Sequence, residues 1–73
     1  MEYWEGYNCV FTAEFVYSFC NEEHSDWYYF YSHEHDFYKA VEKAKRYYDS
    51  LMNEKYNGCD AYYNIIRLEH CDT

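Results

Sequence analysis

The stretch YNCVFTAEFVYSF, residues 7–19, alternates in character at every step. Tyr7, Cys9, Phe11, Ala13, Phe15, Tyr17 and Phe19 fall on one side of an extended chain. Asn8, Val10, Thr12, Glu14, Val16 and Ser18 fall on the other. Successive side chains of a strand point to opposite faces, so a two-residue period held this long predicts a long, half-buried β-strand. The polar run Asn21-Glu22-Glu23-His24-Ser25-Asp26 reads as a turn, and residues 27–32 return as a second, aromatic strand. Together they predict a β-hairpin with a longish loop.

Downstream the period changes. Phe37, Ala40, Val41, Ala44, Tyr47, Tyr48 and Leu51 recur near the i, i+3, i+4, i+7 spacing of an amphipathic helix. Ser32 or Asp36 is the N-cap, and Glu34 and Asp36 suit the positive end of the helix dipole. Asn57-Gly58 supplies a left-handed stop. Residues 60–70 alternate again, with Tyr62, Ile66 and Leu68 expected to point inward. The expected architecture is therefore α+β, in the order ββαβ. A three-stranded antiparallel sheet carries the long first strand at its centre, and one helix packs on one face. With no proline, linker or repeat, residues 1–73 read as a single domain. The second sheet face has no helix to cover it and is expected to pack against something, a homodimer being the simplest case.

A chain of 73 residues buries little apolar surface. Here 12 Tyr, 5 Phe and 2 Trp compensate, because aromatics bury a large area per residue. The net charge of −8 is unevenly placed. The first 38 residues hold eight acids and no Lys or Arg, whereas residues 39–73 hold six of each sign and sum to zero. An acidic N-terminal half repels nucleic acid and anionic membrane, and steers cationic partners. The opening residues Met-Glu-Tyr-Trp-Glu-Gly lack a basic start and an apolar run, which predicts a cytoplasmic protein. Cys9, Cys20, Cys59 and Cys71 are accordingly expected to stay reduced.

Four chemistries compete for the remaining residues. Cys20-x3-His24, His33-x-His35 and His70-Cys71 supply zinc-ligand types, but the usual C-x2-C pair is missing. Two histidines one residue apart on a strand also point to opposite faces, so these read as turn and strand-end residues, with no metal and no cofactor. A disulfide joining Cys20 to Cys59 or Cys71 is compatible with the pattern, but an intracellular chain disfavours it. Cys20, His24 and Glu23 match a nucleophile–base set by type only, and two glycines leave no phosphate-cradling loop, so no enzyme is expected. The helix bases Lys39, Lys43, Lys45 and Arg46 alternate with Glu42 and Asp49 as on an ordinary solvated face, which argues against direct nucleic-acid binding.

Protein interaction accounts for most of the pattern. Tyr and Trp offer wide, rigid contact with a polar tip. Carboxylates among them imitate a run of phosphates and suit the Arg/Lys groove of a nucleic-acid-binding protein. The candidate partner-binding residues are Glu14, Glu22, Glu23, Asp26, Trp27, Tyr29, Tyr31, Glu34 and Asp36. The one-domain length, the acidic half from Glu2 to Asp36 and the strand–strand–helix–strand order ending in AYYNIIRLEH resemble the small phage-encoded anti-CRISPR proteins. That resemblance is one of plan and carries no shared motif. It implies a non-enzymatic inhibitor that occupies a basic, nucleic-acid-binding surface of a partner complex in the host cytoplasm. The alternatives are a self-associating structural or regulatory module and a small metal-binding module.

Overall fold

The structure is a computed structural model that describes residues 7–69. Its elements are β1 (Cys9–Phe19), β2 (Glu22–Ser32), α1 (Phe37–Lys55) and β3 (Asp60–Arg67). The sheet order is β2-β1-β3 and both ladders are antiparallel, so the first strand is central, as the simplest unknotted connection predicted. One helix packs on one face of an α+β, ββαβ fold.

The hairpin is tighter than its sequence suggested. Cys20 and Asn21 both take positive φ, 54° and 65°, and turn the chain in two residues. Consecutive left-handed residues match the right-handed twist of the flanking strands, which is why such turns close hairpins. The polar residues expected to form a loop instead begin β2, with Phe19 paired to Glu22 and Tyr17 to His24. They are polar because the hairpin outruns its cover. An 11-residue strand spans about 36 Å and a 19-residue helix about 28 Å, and burial fades beyond Val16.

The core lies between the sheet and the helix. Cys9, Phe11, Ala13 and Phe15 of β1 pack with Ala40, Ala44 and Tyr48 of α1 and with Tyr56. Small alanines on the helix let the backbone approach the sheet and leave room for aromatic rings. Asp36 is the N-cap, its carboxylate accepting from the Tyr38 amide at 2.9 Å. The helix ends at Lys55, and Gly58 at φ 92° redirects the chain into β3, in the region where only glycine is unstrained.

Two expectations are corrected. In β3 it is Ala61, Tyr63 and Ile65 that pack against the core, while Tyr62 and Ile66 stand on the opposite face and Leu68, just past the strand, is exposed. Both phases of this strand are apolar, so alternation alone left its register undecided. Cys9, expected to be a reduced thiol, is disulfide-bonded. Cys20 and Cys59 are free and exposed.

Tyr48 is fully buried, and its hydroxyl lies 3.0 Å from the Phe11 carbonyl and 3.3 Å from that of Tyr28, tying the helix to both hairpin strands. Tyr48→Phe keeps the ring and leaves those carbonyls short of a donor. It should lower the unfolding free energy by about 1 kcal/mol in urea titrations, with an unchanged m-value.

Candidate protein-interaction face

Strand alternation divides the sheet into two faces of different chemistry. The helix covers the face built from Phe11, Ala13 and Phe15. The face away from the helix, called the open face here, carries from β1 Val10, Thr12 and Val16, which are buried, and Glu14 and Ser18. Opposite them on β2 stand Tyr31, Tyr29, Trp27, Ser25 and Glu23, and on β3 Ile66, Asn64, Tyr62 and Asp60. The central strand is thus covered on both sides over most of its length rather than half-buried as its alternation suggested. Trp27, Tyr29, Tyr62 and Ile66 are each about half exposed. Tyr29 and Tyr31 stack at 6.5 Å between ring centroids, and Tyr7 meets Tyr31 at 5.0 Å, extending the aromatic row along β2.

Of the nine residues singled out in the sequence, five share this face: Glu14, Glu23, Trp27, Tyr29 and Tyr31. The other four are placed elsewhere. Asp26 pairs with Phe15 on the helix side, where its carboxylate accepts from the Tyr56 hydroxyl at 2.6 Å. Tyr28 lies 3.1 Å from the same hydroxyl, so Asp26 anchors the hairpin to the end of the helix. Burial first, then the bonds to Asp26 and Tyr28, push the Tyr56 hydroxyl well above the usual tyrosine pKa. Glu22 is at the tip, its carboxylate 4.0 Å from His24. Glu34 pairs with Lys43 at 2.7 Å, and that bond and charge hold its carboxyl below the usual range. Asp36 is occupied as the helix cap.

Tyr62 and Ile66 were missed as surface residues because they were assigned inward. The signal that separates the two phases of β3 is Asn64, which shares their phase and is exposed. Thr12 was also missed. It is 3% exposed, and its hydroxyl is buried with no hydrogen-bond partner among the described residues.

Charge is segregated by layer. Five of the six bases, Lys39, Lys43, Lys45, Arg46 and Lys55, are on α1. The sixth, Arg67, pairs with Phe11 on the helix side and lies over the Phe37 ring at 5.0 Å. The open face therefore presents Glu14, Glu23 and Asp60 with no Lys or Arg.

Two surface grooves flank the helix. One, about 500 Å³, is lined by His33, Glu34, His35, Asp36 and Lys43 among others. The other, about 480 Å³, is lined by Tyr17, Asp26, Tyr28, Lys55, Tyr56 and Cys59 among others. Among the described residues, no three His, Cys, Asp or Glu side chains converge as a metal ion requires, and His70 and Cys71 lie outside those residues. His35 takes part in a contact between its Nδ1 and the Asn8 side-chain amide, at 3.2 Å. No helix among the described residues is long and apolar enough to cross a membrane. Comparison with protein-family models, curated proteins and solved structures gave no match.

Two measurements follow from these environments. Thr12→Val removes an unpaired buried hydroxyl without changing the side chain's shape. It should raise stability by about 1 kcal/mol, seen as a higher urea midpoint. A lower midpoint would show that the hydroxyl is paired. Burial and its bond to Asp49 push the Tyr63 pKa up from 10.0 to about 12. The folded state thus favours the neutral phenol. Its contribution is complete below pH 10 and is lost as pH rises toward 12. The melting temperature should fall across that window, less steeply in Tyr63→Phe.

Proposed function

We propose that this protein is a non-enzymatic, acidic binding protein that occupies a basic, nucleic-acid-binding surface of a partner, acting as an inhibitor in the manner of anti-CRISPR proteins. The observation that carries the reading is the segregation of charge. A sheet face of exposed aromatics and carboxylates holds no base, although the chain has six. Such a face offers a basic groove both negative charge and wide contact area. It also disfavours a face-to-face homodimer, which would bring two acidic faces together. Self-association remains the second reading: Tyr62 and Ile66 give this face exposed apolar area, against the repulsion between its carboxylates.

Nucleic-acid-handling complexes work in the cytoplasm, and the reading places the protein there. The disulfide at Cys9 weighs against a reducing compartment, so binding is to be measured with and without reductant.

Immobilised protein exposed to host extract should retain a basic protein that is released by salt and displaced by added DNA or RNA. Glu22→Lys together with Glu23→Lys alters two exposed tip residues and should weaken that capture several-fold while leaving the melting temperature unchanged. A retained protein that nucleic acid does not displace, or one held equally by the doubly reversed variant, would sink the proposal.

A further inference from the structure

Glu14 is the acid of the central strand. Its side chain is half-buried, and among the described residues no hydrogen bond or ion pair reaches its carboxylate. A carboxylate partly removed from water is disfavoured unless a donor compensates. Across the two ladders it faces Trp27 on β2 and Asn64 on β3. Two residues along β1 on the same face is Thr12, between Tyr29 and Ile66, its buried hydroxyl also lacking a partner among the described residues. Two residues the other way is Val16, beside Tyr62. Directly opposed side chains on neighbouring strands stand about 5 Å apart, so one planar group can reach Glu14 and Trp27 together.

We infer that this row is a receptor for the guanidinium group of an arginine on a basic protein partner. The Glu14 carboxylate accepts the forked N–H donors, and Trp27 and Tyr29 stack on the guanidinium plane. The Thr12 oxygen accepts a further N–H once the arginine enters between Tyr29 and Ile66. The inference rests on the proposed function and adds to it the face used and the side chain recognised. Arginine suits this row better than lysine. Guanidinium is planar, weakly hydrated and able to bond a carboxylate twice, whereas ammonium is a compact, strongly hydrated charge. Stacking on Trp favours it further. No base on the face competes for Glu14, and a second copy of the chain would oppose one unpaired carboxylate with another.

The test titrates the full chain by calorimetry with oligo-arginine and oligo-lysine peptides of equal length at physiological salt. The arginine peptide should bind about tenfold more tightly. Glu14→Gln and Trp27→Ala should each abolish that preference, while Glu22→Lys at the tip should weaken both peptides alike. Amide resonances of the unaltered protein should shift along β1, β2 and β3 at open-face positions, which keeps the test independent of any variant's folding. Equal affinities, a preference that survives Glu14→Gln, or shifts confined to α1 would overturn the receptor and leave the basic-partner reading standing. No binding of either peptide would overturn both.

Discussion

The ring of Phe15 meets an aromatic from every other part of the fold. Tyr28 of β2 lies 5.2 Å away, Tyr48 of α1 5.8 Å, Tyr56 at the helix end 5.1 Å and Tyr63 of β3 5.0 Å, centroid to centroid. A domain this small has too few residues for a deep aliphatic core. One ring that touches all four neighbours does the work of several smaller side chains. The remaining architecture follows from keeping that cluster closed. Alanines at 40 and 44 bring the helix close enough for Tyr48 to reach the strands' carbonyls. Asp26 is drawn to the helix side by the Tyr56 hydroxyl, and Asp49 holds that of Tyr63. The tyrosines of the core are thus chosen for their tips as well as their rings.

Closing the core on one side of the sheet leaves the other side to a different use. The same alternation that sends Phe11, Ala13 and Phe15 toward the helix sends Thr12, Glu14 and Val16 away from it. Flanking strands then set Trp27, Tyr29 and Tyr62 around Glu14. The helix meanwhile takes nearly all the positive charge. The result is a thin domain whose helix side mixes both signs of charge while the other sheet face is purely acidic, a layout that steers a cationic partner toward the sheet. Acids lying elsewhere serve local structure: Asp36 caps the helix, Glu34 holds Lys43, and Asp26 fastens the hairpin.

Much of this plan was written locally. The period of residues 7–19 and the helical spacing from Phe37 to Leu51 each repeat often enough to specify an element by themselves, and the absence of bases before Lys39 was plain from the chain. In the order ββαβ, the simplest unknotted connection already placed the first strand between the other two. What the chain did not disclose locally was phase and closure. The residues of β3 are apolar in both phases, so which of them faced the helix depended on pairing Tyr63 with Phe15 across the sheet. The two-residue turn at Cys20-Asn21 lacks the usual Asn-Gly signal, and the polar run after it resembled a loop. No local pattern showed that Cys9 is disulfide-bonded. Nor does sequence spacing reveal that Glu14 lacks a partner while Asp26 has one. Neighbouring positions along a strand point apart, and only the assembled sheet and helix decide which side chains meet.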